Sequence, residues 1–354
     1  MQHVLILFGG VSSEHEVSLR SAASVIRNID RARWTVSTLG IAKDGRWLLY
    51  TGETEKIEDG SWIGDTAHQI PAVLSPDRSV HGMTILRESG AENVRVDVVF
   101  PVLHGKNGED GTMQGFLQLA GIPFVGCDAL SSAMGMDKAV SNTIADHIGV
   151  PQAKWLGVRR AEYAAAPAQF RAKCADCLGF PLFVKPANAG SSVGVTKVSA
   201  ADALDAAIQT AFTQDDKLVI EEAIDGRELE CAVIGNDDPL APMVGEIVPC
   251  NDFYDYEAKY IAAESELHIP ADVPTEAFEA VRTQARRIFT ALGCTGLSRV
   301  DFFLRRSDGQ VLFNEINTIP GFTSISMYSK MLIAAGMSYG EIVERLLELA
   351  LEKW

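Results

Sequence analysis

The chain has 354 residues, which at ~150 residues per domain predicts two or three domains. Hydrophobic residues make up 47%, and 47 acidic against 31 basic side chains leave a formal charge of −16. These values describe a globular protein. They exclude disorder, collagen and a disulfide-dense mini-protein, and the acidic balance argues against a nucleic-acid or anionic-membrane surface. No apolar run approaches the ~18 residues of a membrane span and no N-terminal signal is readable, so a cytoplasmic location is expected. Cys174 and Cys177 form a C-x-x-C near the expected end of a helix; with no second half-site they read as incidental thiols.

The first ~125 residues read as α/β. His3 to Phe8 is a buried strand, broken by Gly9-Gly10. Ser13 and Glu16 form a capping box, so a helix is expected from about Glu14 to Ile29. Trp34 to Ile41 is a strand, 51–92 an irregular hairpin or insertion, Val94 to Leu103 a further strand, and Gly111 to Ala120 a helix. Strands alternating with helices predict a mostly parallel sheet. After a composition shift near Gly126, Leu130 to Ile148 reads as one helix stopped by Gly149-Val150-Pro151. Strands follow at 181–186, 195–198 and 217–221, with a helix at 201–212. The last part has a strand at 228–234, a polar aromatic stretch at 251–265, an amphipathic helix at 275–292, and strands at 296–304 and 311–316 joined by Ser307-Asp308-Gly309. It closes with a helix at 338–352 carrying its own Ser338/Glu341 capping box. The expected units are 1–126, 127–222 and 223–354.

Three constellations carry chemistry. The loop Gly190-Ser191-Ser192-Val193-Gly194 lies between two strands, where small residues let backbone N–H groups close over phosphates. It is neither a P-loop nor a dinucleotide fingerprint. Lys185, within the preceding apolar strand, needs an anionic partner if it points inward, and Lys138 offers a second cation. The second constellation is acidic: Glu315 and Asn317 share a strand face, and the hairpin can bring Asp301 beside them. Such oxygen donors suit Mg²⁺ completed by phosphate and water. Arg299, on the same face as Asp301, could stabilise a transferring phosphoryl group or an oxyanion. Third, His104 to Gly111 follows a strand and precedes a helix, and Glu14 lies at a helix start, where it either favours the dipole or binds an ammonium group.

The ordered motifs FGGVSSEHEVS (8–18), HGKNGEDGTMQG (104–115), MDK (136–138), FVKPANAGSSVGV (183–195), FYDYEAKY (253–260), SRVDFF (298–303) and NEINTIPGFTSISMY (314–328) closely resemble the D-alanine–D-alanine ligases of the ATP-grasp family. The resemblance spans nearly the whole chain. It implies three α/β domains, with ATP between the central and C-terminal ones. It implies phosphorylation of one D-alanine by ATP, attack by the amine of a second, and a tetrahedral intermediate, in peptidoglycan precursor synthesis. Carried over, Glu14 binds the first ammonium group, and Ser191 and Tyr260 complete a Glu–Ser–Tyr triad. Lys138, Lys185, Ser191, Ser192 and Lys259 contact ATP phosphates, and Glu221 and Glu228 surround adenine and ribose. Asp301, Glu315 and Asn317 hold two Mg²⁺, with Mn²⁺ as a substitute. Arg299 and the Gly321 N–H form the oxyanion site. His104 lies near the first substrate, and Ser326 binds the second substrate's carboxylate.

An acylphosphate must be kept from water, so a lid is expected at 251–265. Related resistance ligases accept D-lactate or D-serine. Tyr260 and the uncharged Met327, where those ligases usually carry Arg, point to D-alanine as acceptor, with D-serine the alternative. Glu222 departs from the Lys or Gln of many relatives. A homodimer is common in the family. A non-catalytic nucleotide-binding protein on the same fold is disfavoured, because Asp301, Glu315, Asn317 and Arg299 are all retained.

Overall fold

The computed structural model describes residues 1–190, 193–248, 266–323 and 325–354. The N-terminal part comprises β1 (Gln2–Gly9), α1 (His15–Asn28), β2 (Trp34–Ile41), β3 (Trp47–Tyr50), α2 (Thr54–Glu58), β4 (Gln69–Leu74), β5 (Gly82–Arg87), β6 (Gly90–Arg95), β7 (Val98–Pro101) and α3 (Thr112–Ala120). Its seven strands run in the order β6-β5-β4-β3-β2-β1-β7. The expected mostly parallel sheet is corrected. Only β1 pairs in parallel, with β2 on one side and β7 on the other. From β2 outward every pairing is antiparallel. Residues 51–92, read from sequence as irregular, supply this outer meander, which needs only short turns and no crossover helix.

Two further expectations are corrected. The single strand at 94–103 is two strands: the chain breaks at Val96-Asp97, where Val96 N–H donates to the His81 carbonyl (3.0 Å) and Asp97 N–H to that of His3 (2.9 Å). This carries the chain from the outer edge of the sheet to its opposite side. The single helix at 130–148 is likewise two, α4 (Ala129–Met136) and α5 (Lys138–His147). Asp137 between them is extended, and its carboxylate accepts from the N–H groups of Ala139 (3.1 Å) and Val140 (3.2 Å). A strong N-cap inside an otherwise helical pattern starts a new helix.

The central sheet holds β8 (Trp155–Arg159), β9 (Leu182–Pro186), β10 (Thr196–Val198) and β11 (Lys217–Glu222), flanked by α6 (Arg160–Ala165), α7 (Pro167–Leu178) and α8 (Leu204–Ala211). Its order, β10-β9-β11-β8, is antiparallel throughout. The third sheet, β14-β13-β12-β15-β16, is built from β12 (Gly226–Gly235), β13 (Leu240–Val248), β14 (Glu266–His268), β15 (Gly296–Arg305) and β16 (Val311–Asn317). Around it pack α9 (Thr275–Ala291), α10 (Met327–Ala334) and α11 (Tyr339–Glu352). The expected 296–316 hairpin forms, with one bulge: Asp301 pairs with Glu315 and Phe302 with Phe313, leaving Asn314 as the extra residue.

The closing helix α11 starts at the Ser338/Glu341 capping box, as expected. Its Ile342, Leu346 and Leu349 enter a core shared with Val4, Ile6 and Phe8 of β1 and with Ala232 of β12. One helix therefore ties the first sheet to the third. Leu346 is fully buried, so Leu346→Ala should cost about 2–5 kcal/mol. A thermal melt would show this as a lowered midpoint, and an unchanged midpoint would mean that α11 is not part of the shared core.

Candidate active site

The predicted acidic residues stand in register across three strands. Glu230 on β12 is opposite Asp301 on β15, which is opposite Glu315 on β16; the neighbouring row reads Ala232, Arg299, Asn317. Like charges directly opposite one another repel, so cations must lie among them. The Arg299 guanidinium grips Asp301 with two hydrogen bonds, Nε to Oδ1 at 2.8 Å and Nη2 to Oδ2 at 2.6 Å. It also pairs through Nε with Glu230 at 3.0 Å. Burial works against the charged guanidinium, but Asp301 and Glu230 outweigh it and raise its pKa well above the ordinary value. Lys138 Nζ lies 3.3 Å from Glu315 Oε2 and donates to the Ala189 carbonyl at 3.1 Å. Asn317 Nδ2 donates to Asp301 Oδ2 at 3.0 Å.

Lys185 does point inward. Its ammonium meets Glu221 at 2.5 Å, with the bulge residue Asn314 at 3.5 Å, and Glu221 also accepts from Asn142. Burial opposes the charged ammonium, yet Glu221 more than offsets it and the pKa is raised. Glu228 lies two residues before Glu230 on β12. Glu222, the departure noted in the sequence, accepts from the Lys154 N–H at 2.8 Å and so caps the chain before β8.

The expected Ser13/Glu16 capping box does not form. Glu14 is the N-cap of α1 and makes no side-chain cap bond, while Glu16 pairs with Lys43. The Glu14 carboxylate instead turns away from its helix, between the 104–111 loop and the glycine loop. A Cβ on Gly105 would sit 2.4 Å from Glu14 Oε2, and one on Gly190 3.3 Å away. Gly105 also has φ +70°, so both space and backbone call for glycine there. His104 is buried, with Nδ1 near the Ile319 carbonyl (3.1 Å) and Glu109 (3.3 Å), and Nε2 near Ser21 Oγ (3.1 Å). Ser21 Oγ in turn accepts from the Phe322 N–H next to Gly321. Ser326 Oγ accepts from the Thr323 N–H at 3.0 Å, and a Cβ on Gly321 would lie 3.1 Å from it. Met327 packs against Gly245 in the core.

A cleft of about 500 Å³ joins these groups. Glu14, His104, Lys138, Arg299, Glu315 and Asn317 line it, as do Gly321, Ser326 and Met327. Lys185, Glu221, Glu228 and Asp301 are not among its lining residues; Asp301 stands behind Arg299. Ser191, Ser192, Lys259, Tyr260 and the expected lid at 251–265 lie outside the described residues. The sequence reading missed Glu230, Glu109 and Ser21, although two glutamates at strand spacing (228 and 230) marked a polar face on β12. Among the described residues, no group of three His, Cys, Asp or Glu is assembled as a metal cage. The carboxylate row with its amide is a more open donor set, of the kind Mg²⁺ uses when phosphate and water complete its shell.

Cations and acids gathered around one cleft are the side chains that phosphoryl transfer calls for. Comparison with known proteins narrows the class. Family models described as "D-ala D-ala ligase N-terminus" and "D-ala D-ala ligase C-terminus" match residues 3–127 and 144–348. The chain is 48% identical to a D-alanine–D-alanine ligase of Caldicellulosiruptor bescii, over 99% of this chain and 95% of that protein. It is 47% identical to one of Deinococcus radiodurans, over 99% of both. Among solved structures it is similar to the VanG D-Ala:D-Ser ligase from Enterococcus faecalis (TM-score 0.89, 43% identity, 99% of both chains). It is also similar to the D-alanine–D-alanine ligase from Coxiella burnetii (TM-score 0.86, 32% identity, 100% of this chain and 96% of that one). The chain belongs to the D-alanine–D-alanine ligase family, ATP-dependent ligases of the ATP-grasp fold.

The pair formed by buried His104 and half-buried Glu109 sets a pH dependence. Burial works against a charged imidazole, but Glu109 and Glu14 outweigh it and raise the His104 pKa; burial foremost pushes the Glu109 carboxyl up as well. Both shifts favour holding a proton in the pair. A raised folded-state pKa gives stability that is complete below the unfolded value, ~6.5 for His, and is lost as pH rises through the folded value. The melting midpoint of the wild type relative to Glu109→Gln should therefore fall as pH is raised above ~6.5. A difference independent of pH would contradict the pairing.

Proposed function

We propose that this chain joins two molecules of D-alanine into D-alanyl-D-alanine at the expense of ATP, for peptidoglycan precursors. The observation that carries the reading is the single cleft in which a buried carboxylate, Glu14, faces Arg299, Lys138 and the Glu315–Asn317 edge. An α-amino acid activated at its carboxylate needs both halves: an anion for its ammonium, and cations where phosphoryl charge develops.

Glu14 takes the ammonium of the first D-alanine, with His104 beside it. Ser191 and Tyr260 complete the contact from the glycine loop and the 251–265 segment, which serves as the lid. Lys138, Lys185, Ser192 and Lys259 hold the ATP phosphates, and Glu221 and Glu228 lie toward adenine and ribose. Asp301, Glu315 and Asn317 would hold two Mg²⁺, or Mn²⁺, which when bound neutralise phosphate oxygens. The γ-phosphoryl group passes to the first carboxylate, giving D-alanyl phosphate and ADP. The second amine attacks the acyl carbon, and Arg299 and the Gly321 N–H face the oxygen on which charge then develops. Collapse of the tetrahedral intermediate forms the amide and releases phosphate. Ser326 meets the carboxylate of the second D-alanine, and Met327 offers no charge beside it. ATP and free D-alanine place the reaction in the cytoplasm.

D-serine as acceptor is the second reading, favoured by the 43% identity to the D-Ala:D-Ser ligase. The two are separated by supplying D-alanine, D-serine or D-lactate with Mg-ATP and weighing the products. D-Ala–D-Ala should dominate even from an equal mixture. A dominant D-Ala–D-Ser product would overturn the acceptor assignment, and phosphate release with no dipeptide would overturn the ligase reading. Glu315→Gln should lower kcat by roughly 10²-fold or more at an unchanged melting midpoint; wild-type turnover in that variant would remove Glu315 from the metal site.

A further inference from the structure

We propose that Glu230 is a positioning residue for Arg299, one that holds the guanidinium when Asp301 turns to the metal. The inference rests on the proposed metal role of Asp301. In the structure Asp301 accepts from Arg299 with both carboxylate oxygens, and Asn317 Nδ2 donates a further bond to Oδ2. A cation drawn to these oxygens meets the positive guanidinium already bonded to both of them, so metal binding there favours a looser Arg299 grip. A guanidinium that lost Asp301 with no second carboxylate at hand would be a costly unpaired charge in so enclosed a place.

Glu230 removes that cost. It is buried, directly opposite Asp301 across the β12–β15 ladder, and within 3.0 Å of Arg299 Nε. Two buried carboxylates facing each other across a ladder are unfavourable unless a cation lies between them. Asp301 alone already satisfies two guanidinium nitrogens, so a second carboxylate adds little to that grip. Its value is as the alternative partner. With Glu230 in place, Arg299 can give up Asp301 and remain paired, on the cleft wall where both Arg299 and Glu230 are found. Without it, Arg299 competes with the metal for Asp301.

Competition of this kind is measured by binding rather than turnover. Mn²⁺ would be titrated, with free ion followed by its paramagnetic resonance, into the wild type, Glu230→Gln, Arg299→Met and the double variant, each with a non-hydrolysable ATP analogue. Glu230→Gln should weaken Mn²⁺ binding roughly tenfold or more. In the Arg299→Met background the same change should alter it by less than about twofold, because the competitor is gone. Equal weakening with and without Arg299 would show a bare field effect and overturn the proposal, as would no weakening in Glu230→Gln. Asp301→Asn distinguishes the two levels: if it leaves Mn²⁺ binding unchanged, the metal reading itself fails, whereas weakening there but not in Glu230→Gln sinks the Glu230 role alone. Should Glu230→Gln not fold, Glu230→Asp keeps the charge but shortens the reach, and is judged by the same cycle.

Discussion

Three carboxylates laid side by side across β12, β15 and β16 cannot stay charged and enclosed without cations, and much of the site's organisation answers that demand. Arg299 neutralises the row from within the sheet. Lys138 reaches it from the start of α5, and Lys185, paired with Glu221 on the central sheet, comes within reach of Asn314 through the β16 bulge. The central and C-terminal sheets are thus joined electrostatically at the place where ATP is proposed to lie. Arg299 and Lys138 offset part of the row's negative charge before substrate arrives.

The N-terminal part contributes its own exception to local rules. Ser13 and Glu16 have the spacing of a capping box, yet the helix start is organised around Glu14 instead. Glu16 finds Lys43 on the surface, and the Glu14 carboxylate is held against Gly105 and Gly190. A cap bond worth about 1 kcal/mol is forgone, and a buried carboxylate is placed in the cleft. Departures from local preference of this kind concentrate at functional sites. The Ser21 hydroxyl extends the same logic, linking His104 to the loop that carries Gly321.

Much of this was legible in the sequence, for identifiable reasons. The first strand, the amphipathic helix from Thr275 and the closing helix carry strong periodicity or caps, and each forms within a residue or two of expectation. The Asp301–Glu315 hairpin followed from strand spacing and a turn signal. What escaped depends on partners distant in the chain. The break at Asp137 looks helical until Lys217 and the cap bonds are seen. The outer meander hides in a stretch of Gly, Pro and charge, and β13 carries no alternation to announce it. Parallel pairing was over-read because strand–helix alternation persists only around β1. Glu230 escaped because its meaning lies across the ladder, opposite Asp301, and no local pattern reports a cross-strand neighbour.

In the proposed reaction the carboxylate of the first D-alanine is phosphorylated before the peptide bond forms. D-alanine labelled with ¹⁸O in its carboxylate tests this directly, with mass analysis of the inorganic phosphate released during synthesis. If the carboxylate oxygen bridges to phosphorus and departs with it, the phosphate carries one ¹⁸O for each dipeptide made. Phosphate free of label, with dipeptide accumulating at the same rate, would contradict the acylphosphate route and the roles assigned to Arg299, Lys138 and the carboxylate row.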